Sequence, residues 1–296
     1  MPATIIDGKA IAEQIRDEVR QGTVKLKAEK GFVPGLAFIL VGENPASQVY
    51  VKMKGKACEE AGFYSVTERM PATVSEGELL AKVALFNSDP RVHGLLIQLP
   101  LPRHINEQKV IESIDPQKDV DGFHPMSIGK LVIGLDTFKS CTPAGIQELL
   151  IRSGNDPSGK HVVVVGRSNI VGKPVANILL QKQAGANAVV TVAHTGAKDL
   201  LPYTKSADIL IAAVGKAEVI TGAMLKEGAV VIDVGINRVE DPSTKSGYRI
   251  VGDVHFASAS KVAGAITPVP GGVGPMTIAM LLSNTLKAAK KVPASR

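Results

Sequence analysis

The feature that most constrains this chain is a repeated alternation of short apolar runs with segments of helical pattern. Residues 35–42 form one run, closed by a glycine at each end, and residues 92–99 form a second. Runs that are apolar on both faces are typical of parallel strands covered by helices on each side. Between the two runs, Asn44 and Pro45 indicate a helix start and Gly62 a helix end. The alternation predicts an α/β fold built on parallel sheets.

A second series of strand patterns follows a break near residue 140. Its predicted strands are residues 161–165, 188–193, 208–214 and 229–234. A chain of 296 residues is longer than one compact core usually holds, so two domains are expected. We assign residues 1–139 to a first α/β domain and residues 140–275 to a second, Rossmann-like domain. A final helix is also predicted, and its pattern leaves open on which domain it packs.

Charge and aromatic content narrow the class of protein. Lys and Arg number 34 against 28 Asp and Glu, a formal charge of +6. Three interpretations are open: an ordinary basic enzyme, a nucleic-acid-binding protein, and an enzyme for anionic substrates or cofactors. The chain has no Trp and only 4% aromatic residues, which argues against a surface that stacks single-stranded nucleic acid. We therefore expect no nucleic-acid partner.

Cysteine content and hydropathy exclude further classes. The two cysteines, Cys58 and Cys141, are too few for a disulfide scaffold or a four-cysteine metal site, and they fit a reducing cytoplasm. The six histidines show no metal-ligand cluster, so no metal is expected. No apolar run approaches the roughly 20 residues of a membrane helix, and the N-terminus lacks a secretory signal pattern. We expect a cytoplasmic protein without a membrane partner.

A glycine turn follows the predicted strand over residues 161–165. Gly166, Arg167 and Ser168 open this turn, and a helix is predicted to begin near Gly172. Main-chain N–H groups in such a turn and at a helix N-terminus bind phosphate. The spacing departs from G-x-G-x-x-G because Ser168 stands at the second glycine position. A tight turn without a ligand is therefore the alternative.

Charge around this turn favours a phosphorylated cofactor. Residues 157–198 contain no carboxylate. They contain five cations: Lys160, Arg167, Lys173, Lys182 and Lys198. A fold that binds NAD usually has an acid about 20 residues after the turn, where it holds the ribose 2′-hydroxyl. The corresponding residues 194–198 have none, and Arg167 can face a 2′-phosphate, so the sequence favours NADP over NAD.

Tyr50 and Lys54 lie one turn apart on the helix predicted after Asn44. At about 100° per residue, this helix has one predicted apolar face, and Lys54 falls at its edge. The members of that face are Ala46, Val49, Tyr50, Met53, Ala57 and Ala61. A lysine at such an edge is most often a surface residue, and this helix alone favours that interpretation. The alternative is a partly buried amine that transfers protons.

Three further segments carry candidate site residues. Gln98 lies at the carboxyl end of a predicted strand, where α/β sheets place ligands. Asp119 and Asp121 lie in a loop, where capping of a turn is the expected role of at least one of them. Residues 268–275, rich in glycine and proline, precede the final helix. They either bring main chain close to a ligand or form a rigid hinge.

Five segments occur in order along the chain. They are residues 50–54 (Tyr-Val-Lys-Met-Lys), 98–102 (Gln-Leu-Pro-Leu-Pro), 118–122 (Lys-Asp-Val-Asp-Gly), 166–174 (from Gly-Arg-Ser to Pro) and 270–277 (Pro-Gly-Gly-Val-Gly-Pro-Met-Thr). In combination they resemble the bifunctional methylenetetrahydrofolate dehydrogenase/methenyltetrahydrofolate cyclohydrolase family, over nearly the whole chain. The resemblance implies oxidation of 5,10-methylenetetrahydrofolate by NADP to the methenyl cation. It further implies hydrolysis of that cation to 10-formyltetrahydrofolate.

The resemblance also implies roles for single residues. Lys54 matches the lysine that transfers a proton when the hydrated methenyl adduct opens, and Gln98 matches the amide that positions this lysine. Tyr50 matches the tyrosine that packs on the folate. Asp121 matches the acid that holds the amino and ring N–H groups of the pterin. These four residues are the catalytic candidates.

The other residues carried over from the family bind cofactor or substrate. The cofactor candidates are Gly166, Arg167, Ser168, Thr195 and Ile236, and the further substrate candidates are Pro270, Gly271 and Gly272. Thr195 and Gly196 replace the serine and basic residue that many relatives carry, which leaves the margin of NADP over NAD open. The resemblance further implies tetrahydrofolate derivatives as partners, a homodimer, and a final helix, residues 276–296, that completes the first domain.

Three other functions are compatible with parts of the sequence. A two-domain NADP-dependent dehydrogenase of another small molecule, with Lys54 as its acid–base group, would show no cyclohydrolase activity. A basic nucleic-acid-binding protein on a nucleotide fold would bind with a steep salt dependence. A folate-binding protein without catalysis is disfavoured, because Lys54 and Gln98 are both present.

Overall fold

The structure is a computed structural model that describes residues 2–244 and 247–293. Its helices are α1 (Gly8–Lys30), α2 (Pro45–Glu60), α3 (Glu76–Ser88), α4 (Glu107–Glu112), α5 (Pro125–Val132), α6 (Cys141–Arg152), α7 (Gly172–Leu179), α8 (Leu201–Ser206), α9 (Phe256–Ala259) and α10 (Val273–Lys291). Its strands are β1 (Thr4–Ile5), β2 (Gly35–Val41), β3 (Tyr64–Met70), β4 (Gly94–Ile97), β5 (His161–Val165), β6 (Val189–Ala193), β7 (Ile209–Ala212), β8 (Val230–Asp233), β9 (Asn237–Glu240), β10 (Tyr248–Val251) and β11 (Ala265–Ile266). Within the described residues, no helix has both the length and the apolar character that a bilayer crossing requires.

The chain forms two compact units, each assembled from two separate segments. The six-stranded unit comprises residues 2–12 and Thr142–Thr277. The three-stranded unit comprises Glu13–Cys141 and residues 278–293. The chain passes from one unit to the other within α1, at the start of α6 and within α10. Both units have the α/β architecture predicted from the alternation of strand and helix patterns.

The six-stranded unit is built on a parallel sheet with the strand order β1-β11-β8-β7-β5-β6. The interior strand β5 contains a run of valines, residues 162–165, that are fully buried, as expected for a strand covered on both faces. The four strands predicted for the second domain are confirmed as β5, β6, β7 and β8, with ends that differ by at most two residues. The sheet is therefore the Rossmann-like sheet that the sequence predicts.

The division between the units differs from the predicted domain boundaries at the start of the chain. Residues 1–139 were assigned to one domain, but β1 pairs with β11 through Thr4 and Ala265, and Ile6 donates its N–H to the carbonyl of Ile266. The start of the chain is thus an edge strand of the six-stranded sheet. A strand of two residues shows no periodicity from which this pairing could be predicted.

The three-stranded unit contains a parallel sheet with the order β3-β2-β4. All seven residues of β2 are buried, which confirms the strand predicted over residues 35–42. β3 was not predicted, because it is an edge strand in which half-buried and exposed residues alternate. The later part of α10 belongs to this unit, as the resemblance implied. Its Asn284 donates its side-chain amide to the carbonyls of Val120 (2.8 Å) and Lys139 (3.0 Å).

Candidate active site

Helix α2 carries two of the catalytic candidates and buries a different face from the predicted one. Asn44 accepts the N–H of Ser47 and caps the helix, with Pro45 at its first position, as predicted. The buried side chains of α2 are Ser47, Val51, Lys54, Ala57 and Cys58, spaced three and four residues apart. The predicted apolar face is therefore wrong for four of its members, which are exposed: Ala46, Val49, Tyr50 and Met53.

Lys54 is buried rather than at the surface, with 9% of its area exposed. Its Nζ donates a hydrogen bond to Oε1 of Gln98 at 3.1 Å. Gln98 follows β4, and its Nε2 donates to the carbonyl of Leu99 at 2.9 Å. Because the amide NH₂ group is engaged by Leu99, the amide oxygen faces the amine. Gln98 thus holds the position of Nζ without supplying a charge that would neutralise it.

The two loop acids have different surroundings. The carboxylate of Asp119 is buried and accepts the N–H groups of Phe123 and His124 and the hydroxyl of Ser127, at 2.6–3.2 Å. Burial raises the pKa of this carboxyl group above its ordinary value. Asp119 therefore has the turn-capping role that was expected for at least one of the two acids.

Asp121 is half-buried, and its charge and that of Lys54 both act on the Cys141 thiol. The thiol itself donates a hydrogen bond to the carbonyl of Val120 at 3.4 Å. Burial, reinforced by the charge of Asp121, raises the pKa of Cys141 well above its ordinary value. Burial likewise raises the pKa of Cys58 to about 12, so both cysteines are un-ionised and unreactive. Lys54, which Gln98 holds, and Asp121 thus both act electrostatically on one buried thiol.

Tyr50 lies one turn before Lys54 on α2 and is 44% exposed. Val49 and Met53 are exposed beside it on the same helix. An exposed aromatic ring with apolar neighbours is a surface on which a flat heteroaromatic ligand can stack. The helix therefore presents an apolar surface one turn away from a buried amine.

The glycine turn after β5 has two positions at which there is no room for a side chain. Gly166 has a φ of +134°, and a Cβ added to it would lie 2.1 Å from the carbonyl oxygen of Ala213. A Cβ on Gly172 would lie 2.3 Å from the carbonyl oxygen of Gly166. The main chain is therefore packed closely enough to bring its N–H groups to a ligand surface.

The polar residues of this turn surround the start of helix α7. The hydroxyl of Ser168 accepts the N–H groups of Val171 (3.1 Å) and Gly172 (3.3 Å) and shapes the entry into the helix. Arg167 is exposed, and Lys173 donates to the side-chain oxygen of Asn169 at 2.7 Å. A close-packed glycine turn, a helix N-terminus and an exposed guanidinium fit the phosphates expected of a bound NADP.

The other cofactor candidates lie at the same edge of the sheet. Thr195 follows β6 and is exposed, and β6 lies beside β5 with Val165 paired to Ala193. Ile236 follows β8 and is also exposed. Because β5, β6 and β8 are parallel, their carboxyl ends meet at one edge, where α/β sheets place nucleotides. The structure therefore brings the five cofactor candidates to one edge.

Pro270, Gly271 and Gly272 belong to the six-stranded unit, whereas the four catalytic candidates belong to the three-stranded unit. Gly271 has a φ of +109°, and a Cβ on Gly8 would lie 1.8 Å from the carbonyl oxygen of Gly272. The loop is thus packed against the start of α1. The positive φ accounts for the glycine at position 271 and the packing accounts for the glycine at position 8, and a substrate role for the loop stays a prediction.

Sequence reasoning missed residues that hold the site in place. The sequence pattern indicated no supporting role for Cys141 or for Asn284. Both support the loop of Asp121, since Asn284 donates to the carbonyl of the preceding residue Val120. The hydrogen-bond partners of Asn284 are more than a hundred residues away along the chain, so no local sequence pattern could have identified its role. Among the described residues, no group of three His, Cys, Asp or Glu side chains is arranged to hold a metal ion.

Comparisons with known proteins match both parts of the chain to one family. Residues 6–121 match the model of the tetrahydrofolate dehydrogenase/cyclohydrolase catalytic domain. Residues 140–293 match the model of the NAD(P)-binding domain of the same family. The bifunctional protein FolD of Syntrophus aciditrophicus is 59% identical over 290 residues, which cover 98% of each chain.

Two solved structures are similar over almost their full lengths. The bifunctional FolD methylenetetrahydrofolate dehydrogenase/cyclohydrolase of Campylobacter jejuni superposes with a TM-score of 0.91 at 49% identity, covering 97% of this chain and 99% of that one. The methylenetetrahydrofolate dehydrogenase-cyclohydrolase of Trypanosoma brucei, solved with NADP and an inhibitor, superposes with a TM-score of 0.92 at 40% identity, covering 98% of each chain.

Proposed function

Because this chain belongs to the tetrahydrofolate dehydrogenase/cyclohydrolase family, we propose that it catalyses two successive steps of one-carbon folate metabolism. It oxidises 5,10-methylenetetrahydrofolate to the 5,10-methenyl cation with NADP, and it hydrolyses that cation to 10-formyltetrahydrofolate. The observation that carries the proposal is the buried Lys54 amine held by Gln98. Such a group is suited to proton transfer in the second step.

In the oxidation, NADP supplies the chemistry by accepting a hydride from the methylene carbon. The chain's own residues bind and orient the reactants. The Gly166 turn and the N-terminus of α7 offer N–H groups to phosphate, and Ser168 shapes the start of that helix. Arg167 is the exposed cation beside the turn and holds the 2′-phosphate. Thr195 and Ile236 contribute further contacts from the ends of β6 and β8.

In the hydrolysis, water adds to the methenyl carbon and the hydrated adduct loses a proton. The bond between that carbon and one ring nitrogen then breaks, the hydroxyl proton is removed, and the ring nitrogen takes up a proton. Lys54 transfers the proton between these positions, because its Nζ is an amine held in a defined position by a hydrogen bond. Gln98 positions Nζ so that the amine can approach both atoms in turn.

The folate itself is held by residues of two kinds. Tyr50 packs its exposed ring on the folate, and the carboxylate of Asp121 accepts N–H groups of the pterin. Pro270, Gly271 and Gly272 are substrate-binding residues in the second half of the chain. The three-stranded unit, residues 13–141 with 278–293, acts as the folate domain, and the six-stranded unit, residues 2–12 with 142–277, acts as the NADP domain.

The proposal is tested by nicotinamide reduction with purified protein and 5,10-methylenetetrahydrofolate. We expect reduction of NADP, a slower reduction of NAD, and subsequent loss of the methenyl absorbance. Folded protein that reduces neither nucleotide would contradict the dehydrogenase activity. Reduction of NADP without decay of the methenyl product beyond the uncatalysed rate would contradict the cyclohydrolase activity.

We also propose that the enzyme is a cytoplasmic homodimer. The strand β6 forms one edge of the six-stranded sheet, and its Val189 and Val192 are exposed, which favours association of two copies at this edge. Both cysteines are free thiols, in keeping with a reducing compartment. Light scattering on the eluting protein is expected to give twice the chain mass of 31.0 kDa, and a monomer mass would contradict the dimer.

A further inference from the structure

Two buried aspartates of the six-stranded unit have no part in the mechanism described above. Asp233 ends strand β8, and Asp253 follows strand β10. Asp253 is fully buried, and 4% of Asp233 is exposed. A buried carboxylate is costly unless its oxygens receive hydrogen bonds, so the donors around these two residues show what the pair is for.

Asp253 accepts hydrogen bonds from two separate segments. Its Oδ2 accepts the main-chain N–H groups of Val214 (2.6 Å) and Gly215 (2.9 Å). Its Oδ1 accepts the N–H of Lys216 (3.0 Å) and the side-chain amide of Asn237 (2.9 Å). Each carboxylate oxygen thus accepts two hydrogen bonds. Three of the four donors are consecutive main-chain N–H groups after strand β7.

Asp233 joins the same region from the neighbouring strand. Its Oδ1 accepts the N–H groups of Gly235 and Asp253, both at 2.9 Å, and its Oδ2 accepts the N–H of Val254 at 3.0 Å. The main chain lies directly against these carboxylates. A Cβ on Gly252 would lie 1.8 Å from Oδ2 of Asp233, and a Cβ on Gly235 would lie 2.3 Å from Oδ1 of Asp253.

The segments held by this pair flank the cofactor candidates. Ala213, whose carbonyl oxygen lies against Gly166, immediately precedes the residues whose N–H groups bind Asp253. Ile236 lies between Gly235, which donates to Asp233, and Asn237, which donates to Asp253. The two carboxylates therefore hold the segment that directly follows Ala213, the residue packed against the glycine turn. They also hold both neighbours of the exposed Ile236.

We propose that Asp253 is a positioning residue for NADP. It does not touch the cofactor, since it is fully buried, but it holds the main chain at the carboxyl ends of β7 and β8 in the conformation that binds the dinucleotide. This inference rests on the proposed function, because it takes the carboxyl edge of the six-stranded sheet to be the NADP site.

The test uses Asp253→Asn, a change that keeps the shape and removes one acceptor. In either orientation the amide NH₂ group would face two donors, Val214 and Gly215 or Lys216 and Asn237. Leaving buried N–H groups without an acceptor is costly, so the held segments are expected to shift. Asp208→Asn is the matched control. Asp208 accepts hydrogen bonds from the N–H of His161 and the Nζ of Lys226, and it lies at the amino ends of the strands of the same sheet.

Three quantities are measured on each purified full-length variant: the dissociation constant of NADP by calorimetry, the KM for NADP with its kcat, and hydrolysis of methenyltetrahydrofolate without NADP. For Asp253→Asn we expect the dissociation constant and KM to rise at least about tenfold. The kcat at saturating NADP and the hydrolysis are expected to change less than about twofold. Asp208→Asn is expected to leave all three unchanged.

Each outcome decides the inference. Wild-type affinity for NADP in Asp253→Asn would overturn it, as would an equal loss of hydrolysis, because the residue would then only support the fold. If that variant does not fold, Asn237→Ala removes one donor, and a rise of about threefold in the dissociation constant supports the inference whereas no change overturns it. A wild-type chain that neither binds nor reduces NADP would overturn the proposed function together with the inference.

Discussion

The two units place their candidate groups at a ligand surface in different ways. In the three-stranded unit, the groups are side chains, and the amine of Lys54 is held by another side chain, that of Gln98. In the six-stranded unit, the groups are mainly main-chain N–H groups, held by close glycine packing and by the buried carboxylates of Asp233 and Asp253.

The difference follows from the chemistry of each step. Proton transfer needs a titratable side chain at a defined position, and such a side chain must be oriented by partners of its own. Binding of phosphates needs several N–H donors at once, which a main-chain turn supplies without titratable groups. Substitutions in the first unit are therefore expected to change a rate, and substitutions in the second are expected to change an affinity.

The largest expected effect separates the two units directly. Lys54→Met removes the amine that transfers the proton, so hydrolysis of methenyltetrahydrofolate is expected to fall by roughly 10²–10⁴-fold. The affinity for NADP is expected to stay within about twofold, because the cofactor candidates belong to the other unit. Decay of the methenyl absorbance and calorimetry measure the two quantities.

Lys52→Met is the control for this prediction, because Lys52 is exposed on the same helix. It is expected to retain wild-type hydrolysis. Unchanged hydrolysis in Lys54→Met would remove this lysine from the mechanism. A parallel loss of NADP binding would break the comparison between the two units.

An intermediate effect is expected from the protonation of Asp233. Burial raises the pKa of this carboxyl group from 3.8 to about 6, against the three main-chain N–H groups that lower it. The folded state thus binds the proton more tightly than the unfolded state. The resulting stabilisation is full below about pH 4 and is lost as the pH rises through about 6, a change of about 3 kcal/mol.

Urea unfolding of the wild type and of Asp233→Asn, at several values between about pH 4 and pH 7, measures this effect. Other carboxyl groups, such as Asp89 and Asp136, have pKa values lowered to about 2 and act in the opposite direction in both proteins. The difference between the two profiles therefore isolates Asp233. Profiles that run parallel would show that this carboxyl group has an ordinary pKa.

The smallest expected effect concerns the choice between the two nucleotides. Arg167 is exposed, so its charge is screened, and Arg167→Ala is expected to weaken NADP by about fivefold. NAD lacks the 2′-phosphate and is expected to lose less than about twofold. The KM values of both nucleotides measure the selectivity, with Lys182→Ala as a control outside the glycine turn. Equal weakening of NADP and NAD would mean that another residue holds the 2′-phosphate.

The sequence predicted the parts of the fold that have a strong local pattern. The buried strand β5 was predicted with its observed bounds, because a histidine and four valines end at a glycine. The hairpin of β9 and β10 and the edge strand β3 were missed, since their half-buried residues alternate with exposed polar ones. Such strands are specified by their partners more than by their own composition.

Within the site, the limits of sequence reasoning are physical. Hydrophobicity placed Tyr50 inside and Lys54 outside, whereas the structure has the reverse. The buried amine is hydrogen-bonded to Gln98, which lies 44 residues further along the chain. A helical pattern cannot show a partner at that separation. The two acids, Asp119 and Asp121, are equivalent as loop residues, and only the family resemblance separated them. Their functional roles remain predictions.

The interleaved segments of the two units set the order in which the chain can fold during synthesis. Asn284, which supports the loop of Asp121, leaves the ribosome 164 residues after its partner Val120. The strand β1 is made early and pairs with β11 only after more than 250 further residues have been added. Contacts of such long sequence separation form slowly. The Asp121 loop therefore acquires its Asn284 support only after most of the six-stranded unit has been synthesised, and until then the nascent chain exposes apolar surface that chaperones can bind.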